Sequence, residues 1–145
     1  MTDKANIETR IMIGGQALRA HGHDRHTDDV DWAVSRDGAE FVAERTVEGE
    51  TLDMAAFAIT AEVWAAMQPV EINGQMIADP QSLAELKGFA LIQHCRQGNW
   101  TKVAADEYDL QFLGRVFGIT ELPILARHEG AAAAEAANEL TAHIR

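Results

Sequence analysis

The sequence predicts an α+β protein, with a small mixed β-sheet and packed helices in the first half and a short helical C-terminal part. Three observations carry this. Val30, Trp32 and Val34 alternate with Asp29, Asp31 and Ala33, the period of a strand. Val70-Glu71-Ile72-Asn73-Gly74-Gln75-Met76-Ile77 sets Asn-Gly between two short alternating runs, a hairpin signature because both turn positions require positive φ. Beyond residue 80 the apolar residues recur at helical spacing: Leu83, Leu86, Ala90 and Leu91, then Val103, Ala104, Leu110 and Leu113.

In chain order, residues 1–9 are polar, either frayed or a short helix. Residues 10–13 read as a strand that stops at Gly14-Gly15. Good helix formers follow over 16–21, with Gly22 ending the helix, and 23–28 is a polar loop. After the strand at 29–34, Ser35-Arg36-Asp37-Gly38 turns the chain. Residues 39–45 read as a helix with Phe41 and Val42 inward, 51–59 as a strand carrying Asp53, and 61–67 as a short helix. Asp79-Pro80-Gln81-Ser82 starts a helix that Gly98 closes. A second helix covers 100–116, Leu122-Pro123 breaks the pattern, and the alanine-rich stretch 129–145 is a terminal helix. The expected organisation is a core over 1–79 and a helical part over 80–145 packed on it as one compact unit. No internal repeat is visible.

At 145 residues and 47% hydrophobic, the chain can build a genuine core and is not of disordered composition. Its formal net charge of −11 opposes bulk attraction to a nucleic-acid backbone, so any such contact needs a local basic patch. The single cysteine, Cys95, cannot form an internal disulfide. No apolar run approaches membrane-spanning length and no leader pattern is visible, so a soluble cytoplasmic protein is expected.

The chemistry concentrates in 13–34. Asp29 and Asp31 share one face of a strand end, an oxygen-rich site suited to Mg²⁺. The bland reading is a surface turn, but carboxylates within Val and Trp alternation need a partner. Gly14-Gly15 before Ala17 and Leu18 is a tight turn or a backbone cradle for phosphate. Asp53 faces solvent at a strand end or supplies a third carboxylate across the sheet. His21, His23, Asp24 and His26 look like a metal cluster. They do not match the H-x-H-x-D-H pattern of zinc hydrolases, because Asp24 and Arg25 stand in the reverse order. The other reading is a polar loop over a site, with Arg25 contacting phosphate. Lys87 falls on the apolar side of its helix and needs an anion there, unless it snorkels. Asp106 and Asp109, one turn apart, read as a solvated acidic face when taken singly.

Taken together, these residues resemble the nucleotidyltransferase superfamily with the polymerase-β-like fold, and within it the minimal bacterial toxin-type branch that includes AbiEii-like proteins. The likeness covers about residues 10–115. The first motif is Gly14-Gly15-Gln16-Ala17-Leu18, then Arg25-His26-Thr27-Asp28-Asp29-Val30-Asp31; the second candidate is Thr51-Leu52-Asp53-Met54. The third is Leu83-Ala84-Glu85-Leu86-Lys87, and the fourth Asp106-Glu107-Tyr108-Asp109 with Lys102 a turn earlier. The resemblance implies Mg²⁺-dependent transfer of a nucleotidyl group from a nucleoside triphosphate to an RNA or protein hydroxyl, in a toxin–antitoxin setting with an antitoxin partner. It implies Asp29, Asp31 and Asp53 as metal ligands, with Asp53 completing the second metal site or orienting the attacking hydroxyl. Gly14, Gly15, Arg25, Thr27 and Lys87 would meet the nucleotide, and Asp106 would help activate or orient the acceptor. Charge neutralisation and positioning would carry the catalysis. Gln16, Met54-Ala55-Ala56 and the short helical part depart from the family pattern. They keep open a catalytically degenerate member that binds nucleotide or a protein partner without turnover.

Overall fold

The fold is taken from a computed structural model that describes residues 9–36 and 40–142. By its contacts the chain divides into two compact units, Met1–Asp79 and Pro80–Arg145.

The first unit is built on a six-stranded sheet in the order β4-β3-β2-β1-β6-β5. Its strands are β1 (Thr9–Ile13), β2 (Val30–Arg36), β3 (Glu40–Val47), β4 (Glu50–Ala58), β5 (Val70–Ile72) and β6 (Gln75–Ile77). Helix α1 (Gly14–Ala20) follows β1, and α2 (Ala61–Ala66) follows β4. Neighbours are antiparallel except β1 and β6, whose parallel pairing at Met12 and Ile77 makes the sheet mixed. The predicted fold class is thus the observed one. Ile11, Ile13, Ala17, Leu18, Ala33, Val34 and Ile77 are buried. Thr60 caps α2, its hydroxyl accepting from the Val63 N–H at 3.1 Å.

One expectation is corrected here. Residues 40–45 are not helical; they lie in β3, which pairs with β2 and β4. Apolar Phe41 and Val42 next to each other fit a short helix or a strand equally, and only a strand gives this backbone partners on both sides. The turn joining β3 to β4 is Glu48-Gly49, with φ of 50° and 83°, the same two-residue geometry as Asn73-Gly74 at 51° and 81°. Glu at the first position is a far weaker signal than Asn, so this hairpin is less legible in the sequence. The turn expected at 35–38 is only partly described: β2 continues to Arg36, and 37–39 lie outside the described residues, as do 1–8 and 143–145.

The second unit is helical: α3 (Pro80–Gln97), α4 (Trp100–Phe117), α5 (Pro123–Glu129) and α6 (Ala131–Ala142). Asn99 caps α4, and Gly118 ends it in the left-handed region at φ 68°. Leu122-Pro123 does not merely break a helical pattern; Pro123 opens α5 as its first residue. Buried Glu85 of α3 explains that start. Its two carboxylate oxygens accept the Ile124 and Leu125 N–H groups at 2.9 Å each. A negative charge thus satisfies the free donors at the start of α5 from another helix.

Candidate functional site

The site is organised by the junction of β1 with α1. β1 ends at Ile13, which pairs in register with Asp31 of β2. Gly14 then turns the chain into α1 at φ 70°, and a Cβ there would stand 2.6 Å from Asp31 Oδ2. Both its backbone angle and the close approach of Asp31 exclude a side chain at 14. The loop over 23–29 returns across the next residue. A Cβ on Gly15 would meet Arg25 Nη1 and Thr27 Cγ2, each at 2.7 Å. Gln16 holds this loop, its side-chain amide donating to the Thr27 carbonyl at 2.7 Å. Ile13, the residue at the N-cap of α1, supplies no side-chain cap. Gly14, Gly15, Arg25, Thr27 and Asp31 are therefore brought together around one helix start.

Asp29 joins them through a residue that sequence reasoning missed. Arg45 of β3 lies directly across from Asp31 in the register. Its Nε donates to Asp31 Oδ1 at 2.7 Å and its Nη2 to Asp31 Oδ2 at 3.2 Å. Its Nη1 is 3.6 Å from Asp29 Oδ2. The hydrogen bond to Asp31 raises the Arg45 pKa above its ordinary value; burial opposes this, and the charges of Asp31 and Asp29 add to it. Two carboxylates that would repel each other thus converge on one cation. With 39–45 read as a helix, the opposite charges at 31 and 45 could not be seen as cross-strand neighbours.

These acids suit Mg²⁺ as a donor set by type: hard oxygens, of which one or two carboxylates suffice where phosphates complete the shell. Among the described residues no group of three or more His, Cys, Asp and Glu side chains could hold a metal ion. The expected third acid, Asp53, pairs by backbone with Glu44, in the row of Trp32; the Asp31–Arg45 row continues to Leu52 instead. The Asp53 side chain lies outside the described residues.

The three histidines meet different partners. His21 Nε2 donates to the Ala78 carbonyl at 2.8 Å, tying the end of α1 to the end of β6. His23 is buried, with Nδ1 3.7 Å from Asp24 Oδ1, and exposed His26 has Nε2 3.3 Å from Asp28 Oδ1. A shallow groove of about 340 Å³ beside α1, lined by Met12, Gln16, Arg19, Ile72 and Ile77 among others, includes none of the predicted site residues.

Lys87, Asp106 and Asp109 lie in the helical unit and form a second charge cluster. Lys87 is inward, as its spacing predicts, and the anions it meets there are Asp109 Oδ2 at 2.9 Å and Asp106 Oδ1 at 3.5 Å. His94 Nδ1 adds a 2.6 Å contact to Asp106 Oδ2. The reading of Asp106 and Asp109 as a solvated acidic face is corrected: both are buried, Asp109 completely.

No helix among the described residues is long and apolar enough to cross a membrane. No protein-family model, curated protein or solved structure gives a significant match to this chain.

Proposed function

We propose that the chain is an Mg²⁺-dependent nucleotidyltransferase acting on a nucleoside triphosphate and an RNA or protein hydroxyl. One observation carries the reading: Gly14, Gly15, Arg25, Thr27 and Asp31 surround the start of α1, and Asp29 and Asp31 converge on a single cation. In this reading Asp29 and Asp31 hold Mg²⁺, and the register, which sets Leu52 and not Asp53 in their row, leaves Asp53 out of it. The metal supplies charge neutralisation at the triphosphate. Arg25 and Thr27, packed against Gly15, contact phosphate. The pairing of Lys87 with Asp106 supports instead a role in positioning helices α3 and α4. A net charge of −11 favours a protein acceptor, such as a partner of antitoxin type, over unguided RNA. Exposed, unbridged Cys95 fits a cytoplasmic setting.

The test is incubation with each α-labelled triphosphate, Mg²⁺ and either total RNA or a protein extract. Label transfer should fall at least about 100-fold in Asp31→Asn; equal transfer by the two proteins contradicts the reading. A second reading, nucleotide binding without turnover, is favoured by the Arg45 guanidinium seated on Asp31. Calorimetric nucleotide binding with no label transfer to any acceptor would select it.

A further inference from the structure

We propose that Arg45 is a built-in counter-ion for Asp29 and Asp31, and that a divalent cation loads only by displacing its guanidinium. The inference rests on the reading of the acid pair as a cation site and concerns what controls access to it.

Four observations lead there. The guanidinium engages both oxygens of Asp31 and faces Asp29 Oδ2, the atoms a metal would take. Arg45 is placed by the register of an interior strand, with β2 on one side and β4 on the other, so its position is fixed by the fold. The pairing is open to water: side-chain exposure is 31% for Arg45, 36% for Asp29 and 17% for Asp31, so a displaced guanidinium can be solvated. Finally, a guanidinium and a divalent metal are both cations, so exchange at these oxygens is one cation for another.

A coupling follows. Guanidinium and divalent metal cannot share the same carboxylate oxygens without strong repulsion. The displaced guanidinium then needs another anion, and the phosphates of an incoming nucleotide provide one. Free metal should bind weakly, and metal and nucleotide should each strengthen the binding of the other.

The test is a Mn²⁺ titration followed by electron paramagnetic resonance of the free aquo ion, with and without a non-hydrolysable triphosphate analogue. Wild type, Arg45→Gln, Arg45→Lys and Asp31→Asn are compared after circular dichroism confirms their fold. Arg45→Gln should bind Mn²⁺ about tenfold more tightly than wild type, with Arg45→Lys between them and Asp31→Asn losing binding. The analogue should tighten Mn²⁺ binding to wild type more than to Arg45→Gln. If wild type binds Mn²⁺ and neither Arg45 variant binds it more tightly, the counter-ion role is overturned and the cation site stands. Should no variant bind Mn²⁺ with or without analogue, the inference falls together with the site reading beneath it.

Discussion

Among the described residues two acid pairs each meet one long basic side chain, and they differ in their access to water. Asp29 and Asp31 face Arg45 on the sheet unit, where the Asp29 side chain is 36% exposed. Asp106 and Asp109 face Lys87 inside the helical unit, where the Asp109 side chain has no exposure at all. An exposed pair gains little from its partner, because water competes for both charges. A buried pair is tightly bound to its partner, because either charge alone would be stranded in a medium of low polarity. The first arrangement suits exchange with a cation or ligand, and the second suits holding helices together. Two aspartates beside a long basic side chain therefore suit different work in the two units, and burial separates them.

The comparison is broken or sharpened by substitution. The largest effect is expected at the buried cluster. Asp109→Ala removes the nearer of the two anions that Lys87 meets and should destabilise the protein by about 3–5 kcal/mol in urea unfolding. Replacing both partners, Lys87→Met with Asp109→Leu, should recover much of that loss, since an apolar pair needs no counter-charge. Next comes Glu85→Ala, which leaves the first N–H groups of α5 unsatisfied; a loss of about 2–3 kcal/mol is expected from the same measurement. Gly14→Ala should lose roughly 1–3 kcal/mol, from a positive φ and the approach of Asp31. The smallest effect is expected at the exposed acid: Asp29→Asn should shift stability by less than about 1 kcal/mol. An Asp29→Asn loss as large as that of Asp109→Ala would erase the distinction.

pH supplies one more check. The hydrogen bond to Asp31 raises the folded-state pKa of Arg45, so its pairing contributes fully below the ordinary arginine range and fades only as pH rises through the higher folded value. Between about pH 5 and pH 9 the stability difference between wild type and Arg45→Gln should therefore show no step from arginine titration. Thermal melts across that range measure it.

Much of this was legible in the sequence, and the rest was hidden for identifiable reasons. Asn73-Gly74, Pro80 and Gly98 are local signals, because each is decided by the conformation of its own residue. The gathering of Gly14, Gly15 and Asp31 was within reach because they belong to one short excursion of chain. Arg45 was not, because its role depends on the register between β2 and β3. Nor was the burial of Asp106 and Asp109. Acids one turn apart on a helix look solvated until Lys87 of a different helix is placed against them. The start of α5 was hidden likewise, since its cap is Glu85, far away in sequence. What escaped was pairing between segments.

The most direct test of the central claim is Mn²⁺ broadening of amide resonances in the folded wild-type protein with the triphosphate analogue present. Selective loss of signals from Gly14, Gly15, Thr27, Asp29, Asp31 and Arg45 is expected as Mn²⁺ is added to wild type, with the same signals retained in Asp31→Asn. Retention of those signals in wild type, or their equal loss in Asp31→Asn, would contradict the reading.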